Sequence, residues 1–82
     1  MTPKIEKEIA YVNSDEFVFG KYIYMGMGLV KGKRVVISVA YKIDYCIKKA
    51  KEFEKIDSNV IFTHVNKVLV GELMECDKFK IT

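Results

Sequence analysis

The chain contains no tryptophan, one proline (Pro3), one histidine (His64), one arginine (Arg34) and two cysteines, Cys46 and Cys76. Two cysteines so far apart exclude a disulfide framework or a paired-cysteine zinc knuckle, and fit a reducing compartment. One arginine leaves little room for bidentate guanine readout. With one histidine, no Ser-His-Asp or Cys-His constellation can be argued, and Glu52, Glu54 and Glu75 have no spacing that pairs them as general acid and base. No apolar run approaches the roughly 20 residues of a membrane span. Residues 1–13 carry Lys4, Glu6, Lys7 and Glu8 where a signal peptide needs an uninterrupted apolar segment, so a soluble, cytoplasmic protein is expected. Gly20, Gly26 and Gly28 form no G-x-G-x-x-G, and no G-K-[ST] follows them, which argues against a nucleotide-binding loop.

What is present is apolar and basic. Of 82 residues, 50% are hydrophobic and 30% charged, a composition that folds as one small domain. A chain of this length buries a limited core, so an oligomer is expected. The net charge of +3 is unevenly spread. Residues 1–20 carry two lysines against four acids, residues 21–55 nine basic residues against three acids, and residues 56–82 three lysines against four acids. A basic centre between acidic ends suits a local anionic partner, although a merely solvated lysine-rich surface has the same pattern.

Along the chain, residues 1–16 read as a lead-in. Within it, Ile5, Ile9 and Val12 fit a loose helical turn, Ile9 to Val12 equally fits an edge strand, and Pro3 keeps the terminus irregular. Asn13 to Glu16 has turn chemistry, and Phe17-Val18-Phe19 reads as a short strand stopped by Gly20. Lys21 to Lys31 reads two ways. As a helix it must carry Gly26 and Gly28, each costing about 1 kcal/mol relative to Ala; as strands, Phe17 to Val30 and Arg34 to Tyr41 form a long hairpin turning at Lys31-Gly32-Lys33. Arg34 to Ala40 is a β-branched strand. After it, Ile43, Cys46, Ile47, Ala50, Phe53 and Ile56 recur at helical spacing, predicting a helix over 42–56 that ends at Asp57-Ser58-Asn59. Val60 to Val65 reads as a strand, Asn66-Lys67 as a tight turn or bulge, and Val68 to Val70 as renewed strand up to Gly71. Cys76 to Lys78 reads as a second turn before a last strand over 79–81. The order β, helix, β, α and then two or three β describes an α+β sandwich with helices on one face of a mixed sheet.

The candidate nucleic-acid-binding residues are Lys21, Lys31, Lys33, Arg34, Tyr41, Lys42, Lys48 and Lys49. Ammonium groups suit backbone phosphates and release counterions without reading bases, so binding is expected to be largely sequence-independent and salt-sensitive. Tyr22, Tyr24, Tyr41 and Tyr45 interleave with them. Such rings either stack on exposed bases, which favours RNA or single strands, or cover a core edge or subunit interface. Tyr41, between strand and helix, is the contact candidate. His64, Cys46 and Cys76 read as an ordinary sheet histidine and packed thiols; no metal or cofactor is expected.

Phe17-Val18-Phe19-Gly20-Lys21 resembles the strand-Gly-Lys opening of Alba, the family of small archaeal DNA- and RNA-binding chromatin proteins. Val35-Val36-Ile37, with Lys42-Ile43 and Ile47-Lys48-Lys49-Ala50, is similar to that family's second strand and second helix. Val68-Leu69-Val70-Gly71-Glu72 looks like its third strand. The similarity covers residues 17–82, in short pieces. It implies one β-α-β-α-β-β domain over that range, a homodimer without enzymatic activity, and a basic surface following the phosphates of duplex DNA or structured RNA. It also implies a β-hairpin arm reaching toward the minor groove, with Lys21 at the lysine position after the glycine and Lys42 at the basic position entering the second helix. The chain departs from the pattern where Tyr22 replaces a second lysine and where Ala40-Tyr41-Lys42 replaces an arginine-rich turn. Its arm is short and acidic, with Glu72, Glu75 and Asp77. No membrane partner or small-molecule substrate is expected. Two other readings stay open: a protein-interaction module docking through the glycine- and tyrosine-rich segment, and a small enzyme with a pocket at an oligomer interface.

Overall fold

The segment that reads two ways, Lys21 to Lys31, is a strand. A computed structural model of the chain describes residues 6–12 and 16–81, and gives β1 (Glu6–Ala10), β2 (Tyr22–Val30), β3 (Lys33–Ala40), α1 (Ile43–Ile56), β4 (Val60–Leu69) and β5 (Met74–Lys80). These strands make one sheet in the order β1-β5-β4-β2-β3, with every pairing antiparallel. The α+β class stands. Two finer expectations do not match: the sheet is antiparallel rather than mixed, and the element order is β-β-β-α-β-β, with a strand where the resemblance implies a first helix.

The glycines explain the strand. Ile23, Met25 and Met27 alternate onto one face, which the two-residue period of a strand allows and a helix does not. Gly26 faces the other way, beneath α1, where a Cβ would lie 2.2 Å from Ser38 Oγ and 3.2 Å from Ala50 Cβ. The missing side chain is the seat of the helix. At the far end of β2, Lys31 (φ 52°) and Gly32 (φ 79°) both adopt positive φ between the paired residues Val30 and Lys33. That is a two-residue turn whose twist matches the strands it joins.

Three more expectations are corrected. Phe17-Val18-Phe19 is a loop, not a strand: the Lys21 N–H donates to Val18 O at 3.1 Å, Gly20 takes φ 84°, and the Gly20 N–H donates to Val70 O. Its hydrogen bonds thus close a turn over the end of the sheet instead of a ladder. Asn66-Lys67 continues β4 without a turn, because Asn66 pairs with Met25 on one side and Lys78 on the other. Cys76 to Lys78 is likewise inside β5, opposite Glu8, Lys7 and Glu6 of β1; the reversal comes earlier, at Gly71 with φ 89°. The lead-in contributes β1 as an edge strand. Of the turn read at 13–16 only Glu16 is described, and Pro3 and Ile5 lie outside the described residues.

Two clusters form the core, one on each face. Against α1 lie Ala40, Cys46, Ala50, Phe62 and Val65; on the opposite face lie Ile23, Met25, Met27, Val68, Val70 and Cys76. Each fully buried aliphatic side chain is worth about 1.5–3 kcal/mol. The two cysteines sit in different clusters, on opposite sides of the sheet. At the C-terminal end of α1 the Phe62 N–H donates to Glu54 Oε2 at 2.7 Å, a partner gained just beyond the β4–β5 ladder.

The sheet is not flat. The β2 register shifts between Gly26 and Met27 against β3, and between Met27 and Gly28 against β4. Bulges increase local twist. As a result the two edge strands come within reach across the face away from α1, where Arg34 of β3 forms a salt bridge with Glu8 of β1.

Candidate nucleic-acid interface

The strand directions decide which predicted residues meet. β3 ends at Ala40, opposite Tyr24 near the start of β2, so Tyr41 and Lys42 emerge at the same end of the sheet as Lys21. Helix α1 starts there. Its N-cap Lys42 is extended (φ −122°, ψ 136°) and makes no side-chain cap hydrogen bond. Tyr45 stands on the first turn, with Lys48 and Lys49 three and four residues on, the spacing that makes neighbours on a helix surface. The Lys49 ammonium lies 5.1 Å from the centroid of the Tyr45 ring. Lys21, Tyr41, Lys42, Lys48 and Lys49 therefore share one end of the molecule, all of them exposed.

The other three do not join them. Lys31, Lys33 and Arg34 lie at the hairpin tip, separated from Lys21 by the whole of β2, roughly 30 Å at about 3.3 Å per residue. Arg34 is engaged with Glu8. His64 joins this pair: its Nε2 lies 3.2 Å from Glu8 Oε2 and 3.3 Å from the Arg34 guanidinium, and its Nδ1 lies 2.8 Å from Thr63 Oγ1. A carboxylate only accepts, so a proton on Nε2 satisfies Glu8, with Thr63 Oγ1 at the other ring nitrogen. Arg34, His64 and Glu8 thus tie three strands together, and Arg34, with its side chain 48% exposed, already has a carboxylate partner. Nothing in the order of the sequence signals this, since Glu8 and Arg34 meet only because the sheet curls.

At the basic end lies a groove of about 420 Å³ lined by Phe17, Val39, Ala40, Tyr41, Lys42 and Tyr45. Three of its six lining residues are aromatic. Tyr41 is 48% exposed and Tyr45 52%. The Tyr41 ring is fixed at two points: the Val18 N–H donates to its hydroxyl at 3.0 Å, and the Phe17 ring meets it edge-on with centroids 5.8 Å apart. Sequence reading singled out Tyr41 for its place between strand and helix. It missed Phe17, taken as a strand residue, and left Tyr45 undecided; the i, i+4 spacing of Tyr45 to Lys49 was the available signal.

Both thiols are raised above their usual value, chiefly by burial. Cys46 lies under α1, its Sγ 3.3 Å from Ser38 Oγ. Lys7, paired with Asp77, is also raised, mainly by that hydrogen bond. Among the described residues, no group of three or more His, Cys, Asp or Glu is placed to hold a metal ion, and no helix is long and apolar enough to cross a membrane. The chain matches no family model, no curated protein and no solved structure.

Proposed function

We propose that this protein is a non-enzymatic nucleic-acid-binding protein that grips the phosphate backbone of DNA or RNA largely without regard to sequence. The observation that carries the reading is the convergence of Lys21, Lys42, Lys48 and Lys49 on one end of the sheet, around a helix start that no side chain caps. Ammonium groups and helix N–H groups both attract phosphate oxygens. The arrangement supports phosphate binding independently of the Alba resemblance, which remains part of the proposal only through the Gly20-Lys21 and Lys42-Ile43 motifs. Cytoplasmic location, in association with chromatin if that resemblance holds, belongs to the same proposal.

A homodimer completes the reading. Val36 of β3 and Ile61 of β4 are exposed on strands either side of β2, towards the hairpin tip and away from the groove. Contact through these side chains would leave both basic ends free, and light scattering on the purified chain measures the mass. The binding itself is tested by titrating labelled duplex DNA, duplex RNA and single-stranded RNA at low and high salt. Binding that weakens steeply with salt is expected; no binding to any of them at low salt overturns the proposal.

The apolar lining of the groove favours a second reading, a docking site for another protein. On that reading Lys42→Glu with Lys49→Glu leaves partner capture intact, whereas on the nucleic-acid reading it abolishes most of the binding.

A further inference from the structure

We infer that the groove between Tyr41 and Tyr45 receives an unpaired base, so that the protein prefers single-stranded nucleic acid to a duplex. The inference rests on the backbone-binding reading and adds to it the form of the partner. Phosphate contacts alone do not distinguish a single strand from a duplex, because both present the same charge groups. A duplex keeps its bases stacked inside, and nothing on its outer surface uses an apolar slot. A single strand offers flat apolar rings alternating with phosphates. The groove has the matching chemistry, since aromatic walls stand next to lysines at spacings fixed by a helix.

Three observations argue for a base rather than for any apolar ligand. Lys42 lines the groove itself, and Lys49 sits against the ring of Tyr45, so cations lie beside its aromatic lining. A neutral apolar ligand gains nothing from them; a nucleotide does. The Tyr41 ring is already immobilised by the Val18 N–H and by Phe17, so stacking on it costs little further ordering. The volume, about 420 Å³, falls within the roughly 300–1,000 Å³ of small-molecule pockets and leaves room for one base and its sugar.

The test is fluorescence anisotropy with the intact chain, using a labelled oligouridylate and an RNA duplex matched in number of phosphates, at one fixed salt concentration. The single strand should bind more tightly. Tyr41→Ala and Tyr45→Ala should each weaken it by between about 5-fold and about 100-fold, the range of one lost base–aromatic stack, while changing duplex affinity little. Lys42→Glu with Lys49→Glu should weaken both ligands. Tyr45 is the safer probe if Tyr41→Ala does not fold, and Tyr41→Phe keeps the ring while losing only the hydroxyl contact. NMR adds a readout that a structural role would not move, since ring protons of Tyr41 and Tyr45 should shift with the single strand and not with the duplex. Equal affinity for both ligands, with tyrosine variants unchanged and lysine variants weakened, overturns the base-binding inference and leaves backbone binding standing. No binding of either ligand by the unaltered chain overturns both. Self-association through the groove, seen as tyrosine variants that change mass rather than affinity, also overturns it.

Discussion

The two ends of the β2–β3 ladder are built from similar residues and have different capacities. At one end Lys21, Lys42, Lys48 and Lys49 are exposed, Lys42 lines an aromatic groove, and Lys49 lies against the ring of Tyr45. At the other, Lys31 and Lys33 flank a tight turn, and the arginine beside them is tied to Glu8 and approached by His64. In the sequence these cations look like one basic segment. In space they are two patches, one beside an aromatic groove and the other beside the exposed strand side chains Val36 and Ile61. What an ion can do thus depends on what else its backbone brings to the same place.

Substitutions at the two ends should therefore differ. The largest contrast concerns their glycines. Gly26→Val should cost about 3 kcal/mol or more, because the new side chain meets Ser38 and Ala50 and lifts α1, whereas Gly32→Ala at the hairpin tip meets no neighbour and should cost about 1 kcal/mol in backbone strain. Thermal unfolding of the two variants measures the difference.

Next in size is the contrast in charge. Lys42→Glu with Lys49→Glu should weaken nucleic-acid binding at least about tenfold and flatten its salt dependence, with a log–log slope reduced by about 0.7 per lost single-strand contact. The matched pair Lys31→Glu with Lys33→Glu should change it far less, because the ends lie several screening lengths of about 8 Å apart at physiological salt. Equal effects would mean that the ligand spans the whole molecule.

Arg34→Gln should act on stability instead of affinity. Losing the partner of Glu8 should cost about 1–2 kcal/mol by denaturant unfolding while binding stays within about twofold. A fall in affinity without a fall in stability would return Arg34 to the ligand surface.

The smallest effect is a dependence on alkaline pH that concerns the two faces more than the two ends. Both buried thiols have pKa values raised above the usual 9.0. Above that pH the unfolded chain loses thiol protons that the fold retains, so this contribution to stability is full below about pH 9 and is lost as pH rises through the raised folded values. Cys46→Ala and Cys76→Ala, each followed by circular dichroism between pH 7 and 10, should remove one contribution from each face.

The strand and the helix over residues 33–56 were legible because local periodicity alone sets them, although packing follows it only in part. Cys46 and Ala50 of the helical stripe are buried as their spacing requires, whereas Val36 of the edge strand β3 is 49% exposed and Phe53 and Ile56, at the end of the stripe, are 45% and 85% exposed. Lys21 to Lys31 was ambiguous because a glycine's cost in a helix is visible in sequence, while its use as a seat for a helix that comes later in the chain is not. Asn66 misled for a similar reason: a residue that usually marks turns sits mid-strand at 2% exposure, its Oδ1 without a partner. The lysines of the site were readable individually. Their division into two patches depended on strand direction, and the pairing of Arg34 with Glu8 depended on curvature, a property of the whole sheet.

That curvature also bears on the two open margins of the sheet. An open antiparallel sheet presents two rows of unused backbone groups, each a template for strand addition. Here Glu8 lies on one outer strand and Arg34 on the other, so a single ion pair restrains both margins at once. A substitution at Glu8 would take that restraint from both margins together.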